Sequence, residues 1–496
     1  MTESWWQQVV VYQVYPRSFC DTTGNGIGDL EGLRAHLDHL VWLGVDAVWL
    51  SPIFRSPMAD FGYDVSAYDE IDPLFGTLAD FDRLVAEAHA AGLRVLLDWV
   101  PNHTSIEHPW FAEHPDFYVW VDGQPDQPPN GWIEAFGDGP AWKWDDRRGQ
   151  WYLHLFLPEQ ADLDWSNPAV VEAMHATLRF WLDRGVDGFR MDVVHCIGKG
   201  HDLPELLPEQ EAGPVVAIDV PRTHTLLQGI RPLLDEYGAT SVGEVYLLDT
   251  AKVATYYGTP EAPELHLSFN FPGLWAPWEA AVWRTRVDEV ERHLIGDRWP
   301  TWVLSNHDVP RHRTRYGSEA RARAAAVLLT TLRGTPFLYA GEELGLEDAV
   351  VPPDRVVDPG GRDGCRAPFP WTEADDHGWA GGADAWLPWP PHAGARSVEA
   401  QRADQGSTLW LYKRLLAARR ASPALRSGAF AWLASPPDVL AYERRLGDDR
   451  RVVLVNQGDA TAVVELDGAW EVELASDGTS EPGALAGDAA LVLRPA

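Results

Sequence analysis

The 496-residue chain has only three cysteines, Cys20, Cys196 and Cys365, an odd number set far apart. That excludes a disulfide-built scaffold and suits a reducing compartment, where buried thiols act as small apolar side chains. No run of about 18 apolar residues occurs, which excludes a membrane-spanning helix of ordinary length. The first ten residues carry Glu3 and two tryptophans where a secretion signal would have a basic start and an apolar run, so a cytoplasmic location is expected. Basic residues are scarce too: 40 Lys and Arg against 74 Asp and Glu leave a net charge of −34. So acidic a surface is a poor match for nucleic acid or anionic lipid, and neither partner is expected. There is no low-complexity tract and no repeat of about 20 to 50 residues, which argues against a solenoid.

Tryptophan is abundant, at 25 residues. Its flat faces stack on sugar rings but fill cores equally well, so composition alone leaves carbohydrate binding undecided. Periodicity says more. Strand-like runs at Val9–Tyr15, Ala47–Leu50, Val95–Val100, Gly188–Val193, Thr240–Glu244, His266–Phe269, Thr301–Leu304 and Pro336–Tyr339 alternate with helical patterns. Asp29 is placed to cap a helix whose inward positions are Leu30, Leu33, Leu37, Leu40 and Val41, ended by Gly44. Thr77 and Asp80 have the spacing of a capping box, and Asn167 with Pro168 opens a helix that buries Val171, Met174, Leu178, Trp181 and Leu182. Eight β/α units with right-handed crossovers predict a (β/α)8 TIM barrel.

The rhythm breaks twice. Residues 104–163, rich in Trp, Pro, Gly and Asp, are read as a domain inserted after the third strand, leaving 1–103 and 164–427 as the barrel. The long stretch after the eighth strand is expected to cap the barrel mouth. Beyond residue 428, alternating segments at Val439–Glu443, Arg451–Asn456 and Thr461–Glu465 predict an antiparallel β domain spanning 428–496.

Reacting groups in such a barrel sit at the C-terminal ends of the strands. There the chain places Asp98, Asn102 and His103, then Arg190 and Asp192, then Glu244, then Asn306, His307 and Asp308. Arg190 and Asp192 are two apart and share a side of their strand. Three carboxylates converging on one mouth cost free energy unless something uses their charge, and two carboxylates flanking a glycosidic bond is what glycoside hydrolysis requires.

Gly188-Phe-Arg-Met-Asp-Val193, Asp98-Trp-Val-Pro-Asn-His103, Gly243-Glu-Val245 and Ser305-Asn-His-Asp308 resemble, in order and position, the four signature regions of the α-amylase family, glycoside hydrolase family 13. Trp5-Trp6 with Val11–Phe19, and Gln160–Trp165, are similar to its oligo-1,6-glucosidase and α-glucosidase branch. The resemblance implies a retaining, exo-acting α-glucosidase taking a small α-glucoside, with no cofactor for catalysis. Asp192 would be the nucleophile, Glu244 the general acid/base and Asp308 the holder of the distorted ring. Arg190 should keep Asp192 ionised, while neighbouring anions and burial keep Glu244 protonated. Tyr63, Asp64, His103, Phe156, His307 and Arg362 would line the glucose pocket, Asp64 and Arg362 gripping its non-reducing end. Val193 after the nucleophile leans towards α-1,6 linkages.

Asp21, Thr23, Asn25, Ile27 and Asp29 resemble the branch's divalent-cation loop, with Thr23 and Asn25 standing where Asn and Asp are usual, so a structural Ca²⁺ or Mg²⁺ is the expected occupant. Two other readings share these motifs: a glucosyl transferase or sucrose-type isomerase with the same triad, and a noncatalytic relative kept for interaction. A monomer or weak homo-oligomer is expected.

Overall fold

The computed structural model describes residues 4–137, 139–199, 219–296 and 298–496. Eight parallel strands form its centre: β1 (Val11–Val14), β2 (Ala47–Leu50), β3 (Arg94–Trp99), β4 (Gly188–Met191), β5 (Thr240–Gly243), β6 (Leu267–Ser268), β7 (Thr301–Val303) and β8 (Thr335–Tyr339). They pair in the order β6-β5-β4-β3-β2-β1-β8-β7. The seam between β6 and β7 is bridged by the Thr301 hydroxyl, which donates to the Ser268 carbonyl at 2.8 Å. This is the (β/α)8 barrel that the periodicity predicts. Almost every strand residue is buried, because one face of each strand fills the barrel and the other meets the helices. Val11, Ala47, Trp49, Leu96, Val242, Leu267 and Phe337 share the interior cluster, while Tyr12, Val14, Val48, Leu50, Val95 and Leu97 belong to the outer one. Among the described residues no helix is long and apolar enough to cross a membrane.

The helix starts behave as capping rules require. Asp29 accepts from the Gly32 N–H at 2.7 Å, and Thr77 and Asp80 complete a reciprocal capping box ahead of the helix Leu78–Ala90. Asn167 caps Pro168–Leu182 by accepting from the Ala169 N–H at 3.0 Å. One inward position is corrected by the structure. Val41 is 43% exposed and Leu43 is buried in its place. The cause is a break at His36: its ring takes the Gly32 carbonyl at 2.7 Å, the partner its own N–H would have in a continued helix, and that N–H turns to Leu33 instead. In the later helix Val170 is buried and Val171 packs against the core half-buried beside it.

Between β3 and β4 the chain forms a three-stranded antiparallel sheet, with Gln150–Leu153 between Trp120–Asp122 and Trp142–Asp145. Gln160–Asp162 then pairs back onto His103–Ser105. The apolar cluster of Val119, Trp132, Trp142, Trp151, Leu153 and Leu155 also includes Val193 and Cys196, so this sheet packs directly behind the end of β4.

The C-terminal strands β9 (Ala429–Trp432), β10 (Val439–Leu446), β11 (Asp449–Asn456), β12 (Trp470–Ala475) and β13 (Ala490–Pro495) form one antiparallel sheet in the order β9-β10-β11-β13-β12. The strand predicted at Thr461–Glu465 does not form: Ala462 makes a single bridge to Leu485. Its neighbour contains Pro482, which has no N–H to extend a ladder, and Val463 is left exposed.

Gly188 opens β4 because nothing larger fits: a Cβ there would lie 2.5 Å from the Thr240 carbonyl oxygen. Gly188→Ala is therefore expected to lower the urea-unfolding midpoint sharply, by about 1–3 kcal/mol or more of stability. Gly229→Ala, in the helix Pro221–Tyr237 with open space at its Cβ, should raise it by about 0.5–1 kcal/mol.

Candidate active site

Arg190 projects from β4 between the ends of β3 and β5, with 2% of its side chain exposed. Its Nη1 donates to Asp98 at 2.7 Å and to Asp192 at 2.6 Å, and its Nη2 donates to Glu244 at 2.5 Å. One guanidinium thus holds three carboxyl groups that the barrel brings from three adjacent strand ends. Below it lies the Trp49 ring, 5.4 Å from the guanidinium carbon, and the Trp49 and Tyr63 donors complete the shell of Asp98 at 3.3 and 3.1 Å.

Val193, immediately after Asp192, has φ +31° and ψ +41°. For a β-branched residue this left-handed conformation is costly, of order 1–3 kcal/mol, and it persists only where the surroundings impose it. Here they do: its N–H donates to Glu244 at 3.1 Å, its carbonyl accepts from Cys196 at 2.9 Å, and its side chain is buried in the Trp-rich cluster.

One positive charge cannot offset three buried negative ones, so the cluster retains a proton. Burial pushes Asp98 up to about 7 against the pull of Arg190. Asp192 is also pushed well above the usual carboxylate range, by burial first and then by Glu244 and Asp98, with Arg190 opposing. Asp308 goes the other way. Burial would raise it, but His307, Arg362 and Arg366 more than offset that and hold it well below the carboxylate range.

His307 is buried behind Tyr63, whose hydroxyl is 2.5 Å from Nε2, while the Gln13 amide lies 2.8 Å from Nδ1. With Gln13 donating, the ring proton sits on Nε2 and faces Asp308 at 3.2 Å. Burial drives both His307 and His103 down to about 3, so both rings are neutral near pH 7. His103 Nε2 lies 3.2 Å from the Tyr63 carbonyl, and the ring packs 5.2 Å from Phe156.

The connection between β8 and the helix Thr408–Ala421 closes the other side of the mouth. From it Arg362 reaches Asp60 at 2.6 Å, Asp358 at 2.6 Å and Asp308 at 3.2 Å, and lies 5.2 Å from the centre of the Phe136 ring. Arg366 braces the same group from Asp358 at 3.1 Å and Asp308 at 3.3 Å.

Asp192, Glu244, Asp308, Tyr63, His103, Phe156 and Arg362 line one pocket, together with Asp60, Phe136 and Val193. Arg190 and His307 stand behind that lining. Asp64 is absent from it, which corrects the sequence reading. Its carboxylate turns away to accept from the N–H groups of Ala59 and Asp60 and from the Ser56 hydroxyl at 2.8–3.0 Å. The acid that reaches Arg362 is Asp60, four residues earlier. Asp60, Phe136, Asp358 and Arg366 were not singled out from sequence, although the spacing of Asp358, Arg362 and Arg366 at i, i+4 and i+8 was a visible charge pattern.

In the Asp21–Asp29 loop the side-chain oxygens take hydrogen bonds from the loop's own backbone. Asp21 accepts from the N–H groups of Thr23, Gly24 and Gly26 at 2.8 Å, Asp29 from those of Thr22 and Gly32, and Asn25 from that of Ile27. Thr23 turns its hydroxyl to Asp21. Among the described residues no group of three or more His, Cys, Asp or Glu side chains is disposed to hold a metal ion.

The profile of the alpha amylase catalytic domain matches residues 13–428. The chain is 42% identical to a probable alpha-glucosidase of Rhizobium meliloti (strain 1021), over 93% of this chain and 91% of that protein. It is 36% identical to an oligo-1,6-glucosidase of Parageobacillus thermoglucosidasius, over 94% and 92%. Its backbone is similar to the crystal structure of the alpha-glucosyl transfer enzyme XgtA, with a TM-score of 0.91, 40% identity and both chains fully covered.

Asp60→Asn is expected to raise KM for a glucoside about tenfold or more, because it loosens Arg362 in the pocket. Asp64→Asn should instead lower the melting temperature, because it unfastens the loop. The neutral histidines predict a sign for acid sensitivity. In the unfolded chain both rings titrate near 6.5, and in the fold at about 3. Their share of stability is therefore complete above 6.5 and is lost as pH falls towards 3. Urea midpoints at about pH 7 and 4.5 should show a shallower fall in His103→Asn than in wild type.

Proposed function

The chain belongs to the α-amylase family, and from that premise we propose that it is a retaining, exo-acting α-glucosidase releasing terminal α-linked glucose from short oligosaccharides. The observation that carries this reading is the fork of Arg190, which holds Asp192 and Glu244 on two nitrogens of one guanidinium. Carboxyls so joined are close neighbours, in keeping with the roughly 5–5.5 Å spacing of retaining enzymes and short of the roughly 6.5–9.5 Å that leaves room for water in inverting ones.

In the first step an Asp192 carboxylate oxygen bonds to the anomeric carbon as the glycosidic C–O bond breaks, and Glu244 gives its proton to the departing oxygen. That neutralises Asp192 as a charge and leaves Glu244 ionised beside Arg190. In the second step Glu244 takes a proton from water, whose oxygen bonds to the anomeric carbon as the Asp192 ester breaks. Glu244 is protonated again and glucose leaves with its configuration retained. Arg190 serves both steps, since each moves negative charge between two groups that it touches. Asp308, held ionised by its guanidinium neighbours, accepts hydrogen bonds from ring hydroxyls and favours the positively charged ring of the transition state. The Asp60–Arg362 pair blocks the far end of the pocket, which limits attack to a terminal glucose. Val193 at the pocket wall supports the lean towards α-1,6 linkages.

Transfer of the glucosyl group to a second sugar or alcohol uses the same covalent intermediate, and the likeness to XgtA favours it as a side reaction. The noncatalytic reading has no such support, since all three carboxylates converge on one pocket.

With sucrose as substrate, whose leaving group is fructose, the first glucose seen by NMR should be the α anomer; β-glucose first would overturn retention. Asp192→Asn should abolish turnover. Glu244→Gln should lose about 10²–10⁴-fold on isomaltose and much less on a substrate whose leaving group needs no proton.

A further inference from the structure

Asp60 and Arg362 close one end of the pocket, and they come from different segments, Asp60 from the loop after β2 and Arg362 from the long connection after β8. The loop has an unusual shape. Met58 and Phe61, on either side of Asp60, both have left-handed backbones, with φ of +68° and +46°. Neither residue type adopts this conformation without cost, so contacts from outside the loop have to hold it.

Arg17 makes such contacts. It lies buried in the single turn Pro16–Ser18 that follows β1. Its Nη1 donates to the Met58 sulfur at 3.8 Å, and its guanidinium carbon is 5.1 Å from the centre of the Phe61 ring. Both strained residues thus meet one guanidinium. That guanidinium is also 4.7 Å from the centre of the Trp386 ring, which belongs to the connection carrying Arg362 and lies 5.4 Å from Phe61. Trp386 is fixed in turn by donating its indole N–H to the Ser18 hydroxyl at 3.1 Å. Arg17 therefore joins a ring from each of the two segments that supply the clamp. Among the described residues its Nε has no hydrogen-bond partner, and burial draws its pKa below the ordinary arginine value. A cation is a costly way to fill an apolar gap, and a planar one recovers part of that cost only through the faces of the rings it meets.

We propose that Arg17 is a positioning residue for the glucose clamp: by holding Phe61 against Trp386 it keeps the loop in its left-handed turn and Asp60 on Arg362. Arg17 does not line the pocket, so it acts on the sugar through Asp60. The kinetic consequence rests on the glucosidase reading above; the structural one rests on the geometry alone.

Arg17→Met keeps an unbranched side chain and removes the guanidinium. In this variant KM for an α-glucoside should rise about tenfold, as in Asp60→Asn, with kcat changed much less. Made in the Asp60→Asn background, the same substitution should add nothing, because the group it positions is already lost. Asn enters the left-handed region more readily than Phe, so adding Phe61→Asn to Arg17→Met should bring KM back to within about twofold of Phe61→Asn alone. A merely structural role would lower the melting temperature, leave KM of the folded enzyme unmoved and gain nothing from Phe61→Asn. Should Arg17→Met fail to fold, Trp386→Leu removes the second ring and should give the same rise and the same rescue. A crystal structure of the variant that folds should show Asp60 parted from Arg362. The pair still joined, or KM unmoved, overturns the proposal. If the wild type hydrolyses no α-glucoside, the glucosidase reading fails, and the crystal structure alone then decides for or against Arg17.

Discussion

A single buried guanidinium is what the rest of the site depends on. Arg190 is removed from water and surrounded by Asp98, Asp192 and Glu244, each within 2.7 Å. Taking such a group out of water costs several kcal/mol, and the cost is repaid only when every partner is in place. The partners come from β3, β4 and β5, so the register of three neighbouring strands has to be right before any of the ion pairs forms. Gly188↔Leu96 and Gly188↔Thr240 set that register at the start of β4, where a glycine lets the two backbones approach. Barrel geometry and site chemistry are therefore one constraint. A slip of one residue would turn Arg190 to the other face of β4 and leave Asp98 and Glu244 without their counter-charge.

How legible this was depended on the range of the interaction. Strands and caps are local, and the alternation of apolar runs, Asp29, the Thr77–Asp80 pair and Asn167 foretold most of the barrel. Residues on strand ends were legible for the same reason, because a strand fixes which way Arg190, Asp192 and Glu244 point. Loops have no such periodicity. Asp60 and Asp64 are equivalent by composition, and only the left-handed turn at Phe61 and Gly62, with φ of +46° and +111°, decides which one enters the pocket. Asp64 is spent on the N–H groups that this turn would otherwise leave unpaired. Val41 failed for a similar reason. A helical wheel assumes an unbroken helix, and one ring–carbonyl bond at His36 was enough to rotate the second half.

The Asp21–Asp29 loop is likewise shaped by interactions that the sequence does not display. Its residues are those of a cation cage, and from sequence the oxygens look free. In the fold Asp21 also accepts from N–H groups of its own glycine-rich turn, which fixes the loop's shape. Elsewhere the chain places a side-chain cation among oxygens. The Lys199 ammonium lies fully buried against Asp162 at 2.8 Å and against the Asn102 side chain. It ties the end of β3 to the segment following β4. Asp162 in turn accepts from the Leu155 N–H at 2.7 Å and so anchors the chain that carries Phe156. One wall of the pocket is thereby fastened to the strand ends that carry the reacting acids.

These fastenings divide the mouth into two unlike halves. On the glucose side nearly every polar atom is committed: His307 to Tyr63 and Gln13, Asp308 to His307, Arg362 and Arg366, and Arg362 to Asp60 and Asp358. A network so interlocked has little freedom to accept a different ring, because moving one member leaves another buried and unpaired. Val193 lies at the boundary. Its strained backbone N–H holds Glu244 while its side chain faces the pocket, so a substitution there acts on the acid and on the wall at once. Selectivity for the glucose is therefore built into the same ion pairs that fix the reacting acids.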